Sequence, residues 1–417
     1  MIRVTLITIG DELLKGRIVN TNTTQIGSLL RRHGYSLQRN LTISDNREAI
    51  GQTVTEALES SDIVLTCGGL GPTRDDITKH TLAELFHSQL VWHAPTLAFL
   101  EARLAARGRV LNDLTRRQAL VPDVCEVVPN PNGTAPGMMF RRGQSLLFCM
   151  PGVPFEMIHM LEDGVLPRMK AAFSPGYFDH RIVRMTDIPE SDAAMRMETF
   201  ENEKHPALAV SYLPRLDGLW IEVSVRMEEG QRAEAEQILN DAWMQVRGLF
   251  ADKIYAIDER SLPDAIGEAL RSRGLTLAVA ESLTGGKIAA SIVSVSGASD
   301  YFKGSVTAYA VSVKTSVLHV PQEVIDSQGV VSEAVARAMA EQVRILLGAD
   351  LGLATTGLAE KDGDVFPRAW IAVADAAGSE ARLLNLHYDR PSNIEYVSNY
   401  ALRMGLERLA GTSSPVI

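Results

Sequence analysis

A chain of 417 residues is too long for a single hydrophobic core, so two or three domains are expected. Hydrophobic residues make up 46% and charged residues 22%, which excludes a disordered or fibrous protein, and a net charge of −10 argues against a broad nucleic-acid surface, which needs clustered Lys and Arg. The three cysteines, Cys67, Cys125 and Cys149, form no C-x-x-C pair and no run reaches the roughly 18 apolar residues of a membrane span, so neither a disulfide framework, a zinc site nor a membrane partner is expected. A reducing, cytoplasmic setting follows. MIRVTLITIGDELL reads as a buried first strand rather than a signal peptide.

In chain order, 2–9 reads as a strand, 21–33 as a helix closed by Gly34, 35–43 as a strand, 46–60 as a helix and 63–66 as a buried strand. Strands alternating with helices predict a parallel sheet covered on both faces, with ligands off the carboxyl ends of its strands. Two loops fall there: Gly10-Asp11-Glu12-Leu13-Leu14-Lys15-Gly16, and Gly68-Gly69-Leu70-Gly71-Pro72-Thr73-Arg74-Asp75-Asp76. The second is neither a dinucleotide fingerprint nor a Walker loop. Its glycines can present amides to a phosphate, and Thr73 adds a hydroxyl. Asp75 and Asp76 beside a phosphate would repel it unless a hard divalent cation lay between, with Asp11 and Glu12 at the equivalent end of the first strand. The plainer reading of Asp75 and Asp76 is a helix cap.

With GDELLKG at 10–16, Thr21-Asn22, GGLGPTRDDIT at 68–78, NPNGTAPG at 130–137 and PGVPFEM at 151–157, the sequence resembles the molybdopterin-binding domain family in the form found in CinA-type (competence/damage-inducible) proteins. The resemblance implies a nucleotide site with metal-dependent pyrophosphatase activity towards ADP-ribose. Asp11, Glu12, Asp75 and Asp76 are then candidates for a Mg-like metal. Gly10, Asn22, Gly68, Gly69, Gly71, Pro72, Thr73, Asn130, Gly133, Pro151, Gly152 and Glu156 would line the pocket. Pro151 and Pro154 could equally rigidify the exit from the strand at 145–149.

Ser174-Pro175-Gly176 is a turn cluster and a domain boundary. Beyond it the pattern is strand (181–186), helix (190–200), strand (207–212), strand (219–226), helix (231–246) and strand (254–256), a split β-α-β module with no catalytic signal. Residues 212–215 are expected as a loop between two strands. Ile257 to Pro263 reads as a second linker.

LTLAVAESLTGGK, at 275–287, is a short apolar run, a turn and a helix N-terminus, a geometry that exposes the Ser282 hydroxyl beside free backbone amides, with Gly285 and Gly286 allowing close approach of an anion or oxyanion. A strand (305–309), a short helix around 314–318, a long helix (332–347), strands at 351–355, 369–373 and 382–388, and a helix opening on the capping box Ser392-Asn393-Ile394-Glu395 complete a second α/β domain. There is no G-x-S-x-G elbow, no S-x-x-K and no H-E-x-x-H. His319 and His387 are the sole histidines of this region, so a Ser-His-Asp triad is poorly supported. Lysine is the other base that can serve a serine, if desolvation leaves its amine neutral. Lys314 could be that base or an ordinary surface lysine.

AESLTGG at 280–286 with Tyr309, Lys314 and VVSE at 330–333 is similar to the C-terminal half of the CinA family, also found alone as nicotinamide mononucleotide deamidase. The resemblance implies amide hydrolysis without a cofactor: Ser282 as nucleophile, Lys314 as base with Tyr309 beside it, Thr356 near the site and Arg390 as a phosphate or catalytic-site cation. One stretch departs from the family. After Thr356-Gly357 it runs through Ile-Ala-Gly-Pro and a glycine-rich loop, whereas this chain has LAEKDGDVFPR at 358–368, shorter, more charged and poorer in glycine.

The expected fold is therefore α/β, with two doubly wound domains, 1–172 and 262–412, joined by a small α+β module at 177–256. The expected protein is a cytoplasmic, homodimeric hydrolase of nicotinamide mononucleotide and ADP-ribose, with no nucleic-acid partner. A non-hydrolytic pterin- or nucleotide-binding protein with a degenerate C-terminal domain is the alternative.

Overall fold

The computed structural model describes residues 2–73, 76–258 and 260–411. They divide into two compact units, Met1–Asp179 with Val225–Gln237, and His180–Ser224 with Ile238–Ile417.

The first unit is built on a six-stranded sheet in the order Leu37–Ile43, Val4–Ile9, Ile63–Cys67, Ser145–Met150, Gly137–Arg142, Glu126–Val128. The first four strands are mutually parallel. The last two run antiparallel, which the expectation of a parallel sheet did not contain. Val4–Ile9 is buried at every position, as a strand covered on both faces must be. The helix Thr21–Arg32 starts where the Asn20 side chain accepts from the Thr23 amide, and Ile26, Leu29 and Leu30 form its buried stripe. The strand order reverses direction between Val4–Ile9 and Ile63–Cys67. Gly10, Ser44, Gly68 and Pro151 follow the four parallel strands and so share one edge of the sheet.

The second unit contains a five-stranded sheet in the order Phe302–Thr307, Leu277–Glu281, Leu351–Leu358, Arg368–Asp375, Gly378–Asn385, the first three parallel and the rest antiparallel. Each face has its own core. Leu277, Val279, Leu353, Ile371 and Val373 pack with the helices Leu262–Arg273 and Arg390–Ala410. On the other face Ala278, Ala280, Ala354 and Ala372 pack with Val335, Ala336, Met339 and Val343 of the helix Glu333–Leu347.

The middle segment forms the expected split module, a sheet in the order Leu208–Arg215, Gly218–Met227, Tyr177–Met185, Ile254–Ile257 with helices Glu190–Glu203 and Arg232–Leu249. Tyr255 and Ala256, from its last strand, belong to the core of the second unit, and Asp187 pairs with Arg403 there. Residues 212–215, expected as a loop, lie inside a strand.

The final helix also differs from expectation. It begins at Arg390, and the cap is Asp389, whose carboxylate accepts from the Ser392 amide at 2.9 Å. Pro391 fits the first turn, where its missing N–H costs nothing, so the helix starts before the Ser392 box.

Candidate active site

Ser282 is the first residue after the central strand Leu277–Glu281, at the point where the chain order of that sheet reverses. Its amide donates to the Thr355 carbonyl at 3.0 Å, which fixes it against the neighbouring strand. Lys314 comes from the short helix Val311–Ser316 and is fully buried. Its ammonium lies 2.9 Å from Ser282 Oγ and 2.5 Å from the Ala308 carbonyl, with the Tyr309 carbonyl at 3.5 Å. None of these partners carries a formal charge. Burial therefore acts unopposed and lowers the Lys314 pKa to about 8. A solvated surface lysine would show neither the burial nor the shift.

The turn after Ser282 is organised by a residue that sequence reasoning missed. Glu281 is fully buried, and its carboxylate accepts from the amides of Gly286, Ile288 and Ala289 at 3.0, 3.1 and 2.9 Å. The helix N-terminus expected to receive a ligand anion thus already holds one from the chain itself. Gly286 is corrected from ligand donor to partner of Glu281. Gly285 donates to the Ser282 carbonyl and is likewise engaged. Both glycines have positive φ, +61° and +102°, so their service is to the turn. Among the described residues nothing accepts from the amides of Leu283 and Thr284, the first two after the serine.

Tyr309 lies beyond the strand expected to carry it, which ends at Thr307. Its hydroxyl is 3.2 Å from Arg390 Nη2, and Arg390 Nη1 is 2.8 Å from a carboxylate oxygen of Glu360. The Tyr309 contact and then Glu360 raise the Arg390 pKa. Thr356 shares the sheet face of Ala354, with its hydroxyl donated to the Val330 carbonyl at 2.9 Å. Its neighbour Thr355, on the opposite face, exchanges a hydroxyl hydrogen bond with Thr284 at 2.8 Å. Ser282, Lys314 and Tyr309 are thus brought together and linked to Arg390, while the Thr356 hydroxyl is committed to the Val330 carbonyl.

The mouth of the first unit has a different character. Asp11 pairs with Lys15 at 2.6 Å and accepts from Ser44, and these contacts hold its pKa below the usual range. Asp76 takes both the amide and the hydroxyl of Thr73, at 2.9 and 2.5 Å, so Thr73 is not the free donor expected. Asp75 lies outside the described residues. The amides of Gly10 and Gly68 are used by the Ile43 and Met150 carbonyls, whereas those of Gly69 and Gly71 have no partner among the described residues. A Cβ on Gly68 would come 2.2 Å from the Ile9 carbonyl, so only glycine lets the two strand ends approach this closely.

Asn22 braces the mouth by donating to the Gly152 carbonyl at 2.7 Å, and Cys67 does the same to Pro151. Asn130 donates to Glu156 and to the Ala135 carbonyl, and accepts from Gly133. The Asn130, Gly133 and Glu156 groups engage one another and fix the rim, whereas the buried Asn22 Oδ1 has no partner among the described residues. Glu12 stands on the turn after Gly10. Asp45, another residue the sequence reading passed over, has its pKa raised by burial first and then by Glu12, Asp11 and Asp76. Oxygen donors crowded enough to repel one another suit a hard divalent cation. Among the described residues no group of three or more His, Cys, Asp or Glu side chains could hold an ion outright. A metal here would complete its shell with water and substrate phosphate, as Mg²⁺ commonly does.

Fold and site together define a two-unit α/β protein with an internal Ser/Lys centre in one unit and an acidic, glycine-lined mouth in the other. Residues 259–409 match the family model described as CinA C-terminal domain, and residues 5–171 match that of the probable molybdopterin binding domain. The chain is 38% identical over 396 residues to a CinA-like protein of Cytophaga hutchinsonii, covering 93% of this chain and 94% of that one. It is 36% identical over 412 residues to a CinA-like protein of Flavobacterium psychrophilum, covering 96% and 97%. A solved structure of the protein CinA, with unknown function, from Thermoplasma acidophilum is 36% identical, covering 41% of this chain and 98% of that one at a TM-score of 0.37. The chain belongs to the CinA-like protein family.

No helix among the described residues is long and apolar enough to cross a membrane.

Proposed function

We propose that the Ser282 centre hydrolyses a carboxamide, with nicotinamide mononucleotide as the candidate substrate, and that the mouth of the first unit hydrolyses the pyrophosphate of ADP-ribose with a divalent metal. Both reactions belong to the scavenging of pyridine nucleotides by a cytoplasmic homodimer. The observation that carries the amidase is the buried Lys314 amine 2.9 Å from Ser282 Oγ, with its pKa lowered to about 8.

A neutral Lys314 takes the hydroxyl proton as Ser282 Oγ attacks the amide carbon. The Leu283 and Thr284 amides are the available donors for the oxyanion. Lys314 then returns the proton to the departing nitrogen, ammonia leaves, and an acyl-serine remains. Water attacks this ester with Lys314 again as base, releasing the carboxylate and restoring the serine.

At the other mouth Asp45 and Asp76, with Asp11 and Glu12 beside them, would hold the metal. The ion would neutralise charge on the pyrophosphate oxygens. The Gly69 and Gly71 amides, unpartnered among the described residues, are suited to a phosphate oxygen.

Ammonia release from nicotinamide mononucleotide should be abolished in Ser282→Ala. An inactive wild type that still binds nucleotide would favour the non-hydrolytic pterin- or nucleotide-binding alternative. Phosphate-bearing products should form from ADP-ribose only with divalent metal, and metal-independent turnover would refute the second site.

A further inference from the structure

The charged loop after Gly357 engages Arg390, the cation linked to the Lys314 segment through Tyr309. Glu360 sits in that loop, and its carboxylate is 2.8 Å from Arg390 Nη1. The pairing is positioned from beneath. Asn393 is fully buried and donates to the Ala359 carbonyl at 2.9 Å and to the Tyr388 carbonyl at 2.7 Å, while its side-chain oxygen accepts from the Tyr388 amide. One buried side chain therefore fixes both the residue before Glu360 and the turn that leads into Arg390. The remaining loop is closed on itself. Asp362 and Val365 exchange backbone hydrogen bonds, and the Lys361 ammonium stands 5.5 Å from the Phe366 ring.

We propose that Glu360 tunes substrate choice at the Ser282 centre: by holding Arg390 it withdraws the cation from substrate anions and so weakens the site's preference for phosphorylated carboxamides over those without a phosphate. This rests on the amidase reading of that centre. Through Tyr309, Arg390 is connected to the segment that carries Lys314. A phosphate reaching Arg390 must displace a carboxylate already in place and then remain next to it. The displaced contact is an exposed ion pair and correspondingly weak, which sets the discrimination at about fivefold rather than thousands.

The experiment compares wild type, Glu360→Gln and the double variant Glu360→Gln with Arg390→Gln. Ammonia release is measured from nicotinamide mononucleotide and from nicotinamide riboside, and inorganic phosphate binding is titrated separately by calorimetry on the full chain. Glu360→Gln should lower KM for the mononucleotide about fivefold with little change in kcat, leave the riboside KM within twofold, and tighten phosphate, and the double variant should reverse the gain. Equal effects on the two amides, or phosphate binding that ignores Glu360, would overturn the proposal. Should neither amide be hydrolysed, the amidase reading fails. The phosphate titration then still decides whether Glu360 guards Arg390.

Discussion

The Ser282 centre and the mouth of the first unit are built on the same plan, loops at the carboxyl ends of parallel strands where the strand order reverses, yet they store their chemistry differently. At Ser282 the serine–lysine pair is buried: Lys314 meets only neutral partners, and desolvation lowers its pKa to about 8. At the other mouth the acids are partly exposed and engaged with their own neighbours, Asp11 with Lys15 and Asp76 with Thr73. A desolvated base needs only its substrate. A ring of acids needs a counter-charge before it can receive a phosphate.

The largest expected effect separates the two regions outright. Ser282→Ala should reduce ammonia release by at least about a thousandfold and leave metal-dependent turnover of ADP-ribose within twofold, measured on the same preparation. Loss of both activities would mean the two centres are not independent. Next, Asp45→Asn with Asp76→Asn should lower ADP-ribose turnover by roughly a hundredfold at fixed Mg²⁺, with ammonia release unchanged. Retention of full activity would remove these carboxylates from the site.

A smaller effect should appear in stability. Glu281→Gln replaces one of the two accepting oxygens by an NH2 donor that faces a backbone N–H, so not all three amides keep an acceptor, and chemical denaturation should show a loss of about 1–3 kcal/mol. An unchanged midpoint would leave the helix N-terminus open to a ligand after all. A pH-dependent effect of comparable size concerns Lys314. Its folded pKa, about 8, lies below the ordinary lysine value of 10.5, so the unfolded chain binds more protons between those values and the wild type gains stability as pH rises through that window. Lys314→Met should lack this gain. Parallel stability profiles for the two proteins would show that Lys314 is not desolvated.

Much of this contrast was legible in the sequence. Alternating strands and helices placed both loop systems at strand ends, and the AESLTGG stretch with Lys314 pointed to a serine served by a lysine. What could not be read was which partners the polar groups would choose. Glu281 looks like one more residue of an apolar strand end, but the turn it caps bends the following amides back onto its carboxylate. Ser392 heads a formally correct capping box, and Asp389 wins because Pro391 allows the helix to begin earlier. Asp45 carries no motif of its own and gains meaning only when parallel pairing sets the end of Leu37–Ile43 beside that of Val4–Ile9. Glu360 was visible as a departure in a charged loop. Its pairing with Arg390, 30 residues away, depends on the buried Asn393.

The central claim is that a neutral Lys314 activates Ser282, and the pH dependence of kcat/KM for ammonia release tests it most directly. The rate should rise as Lys314 loses its proton and level off above about 8. A rate that keeps climbing towards 10.5, the value of an ordinary lysine, or one that ignores pH across this range, would contradict it.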